Sequence, residues 1–268
     1  MIQQRIKLYE QDYPYVDTYI NDPLFEGDVR GAVIVVPGGG YEFVSDREGE
    51  AVALRFSAAG FHTFVLYYRV APEYHHPCSV EDLARTVSLV RKHAAEWNID
   101  PENISVCGFS AGGHLCAHLG VYWNDPELSA LIGEANEQFK PNQVVLGYPV
   151  ITSSQFTHGG SFKNLTQGDA ALLEKLSLEK HVSADTPPTF LWHTAEDAAV
   201  PVENSLLFAS ALSASGVPFE LHVYPHGPHG LSLANQVTSV QNDDYIHDEC
   251  AHWIEEAIRF IQTENKRQ

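Results

Sequence analysis

Six stretches of this chain are rich in apolar and β-prone residues and each is only five or six residues long: Ala32–Val36, Thr63–Tyr68, Asn103–Cys107, Val144–Tyr148, Thr189–His193 and Phe219–Tyr224. The first, Ala32-Val33-Ile34-Val35-Val36, is apolar throughout, as a strand covered on both faces must be. Between such runs the period changes. Residues 49–59 read as a helix, and Ser79 and Val80 open another with Asp82 in its first turn, where Leu83, Val87, Val90 and Ala94 fall on one face. A closing helix is expected from Asp244 to Thr263, with Cys250, Ile254, Ala257, Ile258 and Ile261 as its apolar side. Strands alternating with helices predict an α/β fold: a mostly parallel central sheet with helices on both faces.

Two regions depart from this rhythm. Residues 1–30 are polar and aromatic and read as an antiparallel edge hairpin with its turn near Asn21-Asp22-Pro23. Residues 152–188 hold a polar loop and a helical stretch near Asp169–Leu178. They read as an insertion over the site within a single domain covering 1–268, since neither a repeat nor a low-complexity linker divides the chain.

Composition narrows the function. With 268 residues and 44% hydrophobic content the chain can bury a sizeable core. It carries 16 Lys and Arg against 35 Asp and Glu, a formal charge of −19, which repels phosphate backbones and argues against nucleic-acid binding. No apolar run approaches membrane-spanning length, and the first seven residues lack a signal peptide's apolar stretch. Cys78, Cys107, Cys116 and Cys250 have no metal-ligand spacing, so free thiols in a reducing compartment, and a cytoplasmic location, are expected.

The chemistry centres on Gly108-Phe109-Ser110-Ala111-Gly112-Gly113-His114. A β-prone run precedes it and a helix-compatible run, Leu115 to Leu119, follows, so Gly-x-Ser-x-Gly stands at a strand-to-helix turn, the context of a nucleophile elbow. Small residues at its edges let the backbone turn sharply. Ser110 then projects its hydroxyl, and the Ala111 N–H opens a helix where negative charge is favoured.

A serine hydroxyl needs a base, and the base needs a carboxylate to orient it. On a parallel sheet both belong on loops after later strands. Asp197 follows the strand ending at His193, and His229 follows the strand ending at Tyr224, giving the order Ser, acid, His. Glu196 competes with Asp197, which is favoured because Val200-Pro201 can begin a helix just beyond it. His226 competes with His229, which is favoured because Gly230 and an apolar run follow it. Gly38-Gly39-Gly40, after the first central strand, offers bare N–H groups; Gly39, Gly40 and Ala111 are the candidate oxyanion donors. A phosphate cradle would want a nearby Lys and Ser/Thr that Tyr41-Glu42-Phe43 lacks.

Pro37–Tyr41, Arg47–Glu50, Tyr68–Pro72, Gly108–His114, Asp197–Pro201 and His226–Gly230 together resemble the α/β-hydrolase esterases, in the branch of acetyl xylan esterase-like and related carbohydrate esterases. The resemblance runs from about Gly31 to Phe260. It implies the α/β-hydrolase fold, Ser110, Asp197 and His229 as catalytic triad, and Gly40 with Ala111 at the oxyanion. Pro37 stands where lipase-like members carry His, which turns expectation away from large lipid substrates.

The resulting expectation is a serine hydrolase of short-chain carboxylic esters, acetyl groups on carbohydrates in particular, needing no metal or organic cofactor. Its partner is a small-molecule ester; no nucleic acid or membrane is expected, and a homodimer stays open. Tyr41 and Phe109, with Phe43 and Trp192, are expected to line the substrate side and narrow it. Polar side chains of the insertion, among them Thr152, Ser154, His158, Ser161 and Asn164, are candidates for sugar hydroxyls. The alternatives are an aryl-formamidase or peptidase on the same fold, a ligand-binding homologue without catalysis, and, weakest, a metal-dependent hydrolase using His222, His226 and His229.

Overall fold

Strands β1 (Ile2–Lys7) and β2 (Tyr15–Ile20) open the chain, followed by β3 (Arg30–Val36), α1 (Glu50–Ala58) and β4 (His62–Tyr67) in the computed structural model, which describes residues 1–267. Then come α2 (Cys78–Lys92), α3 (Ala94–Trp97), β5 (Ile99–Phe109), α4 (Ser110–Tyr122), α5 (Pro126–Ile132), α6 (Asn136–Phe139) and β6 (Gln143–Gly147). The insertion supplies α7 (Gly159–Thr166) and α8 (Ala170–Lys175), and β7 (Thr189–Thr194), α9 (Glu203–Ala214), β8 (Phe219–Tyr224) and α10 (Trp253–Asn265) complete the chain.

The strands form one sheet in the order β1-β2-β4-β3-β5-β6-β7-β8. The β1–β2 and β2–β4 pairs are antiparallel and all the others parallel. Alternate residues of β3 feed two separate cores. Ala32, Ile34 and Val36 join one with α2, α4 and α9, whereas Val33 and Val35 join the other with α1 and α10. Both faces being covered is why Ala32–Val36 shows no polar position. Among the described residues no helix is long and apolar enough to cross a membrane.

The chain order places the site. From β3 it passes to β4 on one side and returns to β5 on the other, so the loops leaving β3 and β5 diverge at a switch point. Those loops are the glycine run and the Ser110 turn.

Two expected boundaries move. The edge hairpin exists, but its turn is the loop 8–14, closed by the Leu8 N–H donating to Pro14 O, not Asn21-Asp22-Pro23. Asn21 instead begins the crossing to β3, its side-chain amide donating to Phe61 O and Ser57 O, so the polar Asp-Pro signal marks a crossover. The closing helix begins at Trp253 rather than Asp244. The preceding residues fold as turns held by Asn242, whose side chain accepts from the Asp244 N–H. That local competition with helix is what such side chains do.

Candidate active site

Phe109 ends β5 and Ser110 begins α4 with φ of +52°, a left-handed conformation rare outside glycine. The turn closes because its neighbours lack side chains. A Cβ on Gly108 would stand 2.2 Å from Gly112 O, and one on Gly112 would stand 2.1 Å from Val36 O. So β3, β5 and α4 approach at distances that only glycine permits. Ser110 is thereby pushed out of the strand line, and its carbonyl is held by the Val150 N–H at 3.0 Å.

The structure brings together the three residues expected from their spacing. Ser110 Oγ lies 2.9 Å from His229 Nε2, and His229 Nδ1 lies 2.6 Å from Asp197 Oδ2. With Asp197 ionised, Nδ1 carries the imidazole proton and Nε2 presents its lone pair to the serine. Asp197 is fixed by the start of its own turn, Oδ1 accepting from the Ala199 and Val200 N–H groups at 3.0 and 2.8 Å. Burial works to raise its pKa. The hydrogen bonds from His193 and His229, the His229 charge and the Val200 N–H outweigh that and hold the carboxyl well below the usual range. His193 Nε2 is 3.3 Å from Asp197 Oδ2 but 2.9 Å from Val200 O, so its proton points mainly at the carbonyl.

The rivals occupy the same neighbourhood without entering the chain of bonds. Glu196 pairs with His226 at 2.9 Å, both more than half exposed. His222, invoked for a metal site, pairs with Glu220 instead.

Ala111 sits in the first turn of α4, where helical N–H groups have no intrahelical acceptor. Gly39 and Gly40 have φ of +126° and +66°. The Gly39 carbonyl is occupied by the N–H groups of Glu42 and Phe43, and Gly40 O accepts from Asn164 of α7 at 2.9 Å. The loop is thus pinned through its carbonyls.

Tyr41 and Phe109 turn into the core. Tyr41 is 2% exposed and Phe109 fully buried, as is Trp192, while Phe43 points outward at 59% exposure. Tyr41 donates its hydroxyl to His114 Nδ1 at 2.8 Å, and His114 Nε2–H donates to Leu176 O at 3.0 Å. Burial keeps His114 neutral, lowering it to about 4 against the opposing pull of the Leu176 carbonyl. Phe109 packs edge-on against Trp253. Their bulk near the motifs reflects anchoring of the loops, since an aromatic carries most of its worth as buried area. The polar side chains of the insertion are largely spent internally as well. Thr152 bonds Ser154 and Glu179, Ser161 bonds His158, and Asn164 holds Gly40. His158 lies close enough to the site for its imidazole to be lowered, by burial first and then by the His229 charge.

One site residue escaped the sequence reading. Glu48, 4% exposed, accepts the Gly38 N–H on Oε2 at 2.8 Å and the Tyr148 hydroxyl on Oε1 at 2.7 Å. Tyr148 oxygen accepts in turn from the Ser232 N–H at 2.8 Å, and its ring lies edge-on to His229 with centroids 5.1 Å apart. One buried carboxylate therefore ties the glycine loop to the loop carrying His229. The available signal was a charged residue between a glycine loop and a helix, inside the Arg47–Glu50 run that carries part of the resemblance but no assigned role.

The BD-FAE family model matches residues 20–212, which include Ser110 and Asp197 and end before His229. Endo-1,4-beta-xylanase B of Butyrivibrio fibrisolvens is 40% identical over 84% of this chain and 37% of its own length. Acetylxylan esterase of Xylanibacter ruminicola is 30% identical over 85% of this chain and 47% of its own length. The chain thus spans less than half the length of these curated relatives. The crystal structure of an acetyl ester-xyloside bifunctional hydrolase from Caldicellulosiruptor lactoaceticus superposes with a TM-score of 0.82 at 39% identity, covering 97% of this chain and 96% of that one.

Proposed function

The chain belongs to the BD-FAE family and has the α/β-hydrolase fold, and from that premise we propose that it hydrolyses short-chain carboxylic esters, acetyl groups on carbohydrates in particular, by a Ser-His-Asp acyl-enzyme mechanism. The observation that carries the reading is the unbroken run of hydrogen bonds from Ser110 through His229 to Asp197. His229 Nε2 takes the Ser110 proton as Oγ attacks the ester carbonyl, and Asp197 stabilises the imidazolium. The Ala111 N–H with those of Gly39 and Gly40 receives the oxyanion. The imidazolium returns its proton to the departing alcohol, and His229, neutral again, activates the water that releases the acid. Glu48 holds the donor loop and the base loop in one geometry.

Tight packing of Tyr41, His114, Val150, Phe162 and Leu165 beside the glycine loop leaves no space for even a water molecule, which supports a preference for short acyl chains. The carbohydrate alcohol rests on the named activities of the relatives. We also read the chain as a single domain with residues 152–188 as a cap: Asn164 ties α7 to Gly40. A cytoplasmic setting fits the four unpaired thiols, three of them buried.

The test is acetate release from acetylated xylo-oligosaccharides beside p-nitrophenyl acetate, butyrate and octanoate. Each extra methylene forced against a closed pocket should cost ~1–3 kcal/mol, so kcat/KM should fall steeply from acetyl to octanoyl. Ser110→Ala should lose at least ~10³-fold in kcat. A preference for octanoyl esters, or no acetate from any acetylated sugar, would refute the substrate assignment; retained activity in Ser110→Ala would refute the mechanism.

A further inference from the structure

Two helical turns beyond Ser110, about 12 Å along α4, the helix passes a second cavity. It holds about 220 Å³ between α2, α4, α5 and α8 and is lined by His76, Val80, His118, Tyr122, Leu128 and Lys175, among others. His114 stands between it and the glycine loop with both ring nitrogens already engaged, so the two sites do not share a polar group.

What marks this cavity is unspent hydrogen-bonding capacity. His118 is 4% exposed, and no hydrogen bond from any described residue reaches its ring. His76 Nδ1 is buried and likewise without a partner among the described residues. The two rings lie tilted against each other, centroids 5.4 Å apart. Buried polar atoms are almost always paired, so the lone His76 Nδ1, beside a His118 ring that spends neither nitrogen on another described residue, leaves polar capacity for an occupant of the cavity. Burial keeps both rings neutral: it lowers His76 to about 4 and drives His118 well below the ordinary imidazole value.

We propose that this cavity is a binding site for a neutral, hydroxyl-bearing ligand the size of one sugar ring, held by His76 and His118. A neutral imidazole offers one N–H and one lone pair, and a hydroxyl group can answer both. The Tyr122 ring, Val80 and Leu128 supply the apolar surface on which the C–H face of such a ring rests. Other classes fit worse. An anion meets Asp125 and Glu127; a cation meets Lys175, which those carboxylates hold at 3.5 and 3.0 Å. A purely apolar ligand would leave the ring nitrogens as they are. The site stands independently of which ester the chain cleaves.

The test follows histidine ring signals in ¹H–¹⁵N spectra of the full chain during titration with xylose and methyl β-xyloside. The His76 and His118 signals should move saturably at millimolar sugar while those of His229 stay in place. His118→Phe keeps the ring shape and removes its polar atoms, and should weaken binding about five-fold, the ordinary worth of one hydrogen bond. Leu128→Trp fills the cavity and should abolish the response while ester hydrolysis continues at its original rate. No sugar-dependent movement of the His76 and His118 signals in the native chain, meaning water alone occupies the cavity, overturns the proposal. So does a response that survives unchanged in His118→Phe, which also covers the case in which Leu128→Trp fails to fold.

Discussion

Two acid–imidazole pairs stand side by side where β7 and β8 end. Glu196 with His226 and Asp197 with His229 join neighbouring residues through bonds of 2.9 and 2.6 Å, across 30 and 32 positions of chain. Composition and spacing barely distinguish them. Burial does: the side chains of the first pair are 60% and 63% exposed, whereas Asp197 is fully covered and His229 is 23% exposed. Water screens the outer pair, so it contributes little. The inner carboxylate has lost its water and must be repaid by hydrogen bonds, which the Ala199 and Val200 N–H groups and His229 provide. The same chemistry is a surface ornament in one place and an oriented base in the other.

The widest gap between the pairs should be seen on neutralising each acid. Asp197→Asn should lower kcat by roughly 10³–10⁴-fold, because an amide no longer enforces the imidazole tautomer, while Glu196→Gln stays within about two-fold of the native enzyme. Stability should separate them too. Folding lowers the Asp197 pKa, so the unfolded chain takes up the proton first as pH falls. The carboxylate's contribution is therefore present above the ordinary carboxylate range and is lost in acid. Tm measured from neutral to acid pH should fall more steeply in the native chain than in Asp197→Asn. Equal slopes, or a larger kinetic loss in Glu196→Gln, would reverse the assignment.

How much of this was legible in the sequence follows the same division. Ser110, Asp197 and His229 could be read because each stands just after an apolar run, and a parallel sheet delivers such loops to one edge. Their strands, covered on both faces, leave a one-dimensional signal. The burial of Tyr41 and Phe109 was not legible because proximity to a motif in sequence does not say which way a side chain turns; Tyr41 turns inward onto His114. Glu48 was missed because its partners, Gly38 and Tyr148, stand 10 and 100 residues away. No periodicity encodes such a contact. The hairpin turn was misplaced because Asn21-Asp22-Pro23 has turn chemistry that serves a crossover equally well.

Glu48 sharpens the comparison from the side of the glycine loop. Glu48→Gln retains one acceptor but places an amide against either the Gly38 N–H or the Tyr148 hydroxyl, leaving one buried donor unpaired at a cost of about 1–3 kcal/mol. Since the oxyanion is bound only in the transition state, kcat should drop ~10-fold or more with KM nearly constant. A purely structural role would lower Tm and leave kcat of the folded fraction intact, so stopped-flow kcat corrected for active-site titration decides between them. Wild-type activity itself should rise from acid toward neutral pH, as His229 becomes able to accept a proton. A flat profile with chemistry limiting would exclude it as the base.

The smallest effect is expected in the outer pair, and it closes the comparison from the other side. Glu196 raises the His226 pKa, chiefly through the hydrogen bond between them, and both groups lie open to solvent. Glu196→Gln should therefore let His226 fall back toward the ordinary imidazole value, and added salt should do the same in the native chain. NMR titration of the His226 ring reads both shifts directly. The pH profile of kcat/KM should not move with either change, because no hydrogen bond joins this pair to Ser110, and the dry contact between Asp197 and His229 is poorly screened. If salt or Glu196→Gln displaces the acid limb of activity along with His226, the two pairs are coupled, and burial is not what separates them.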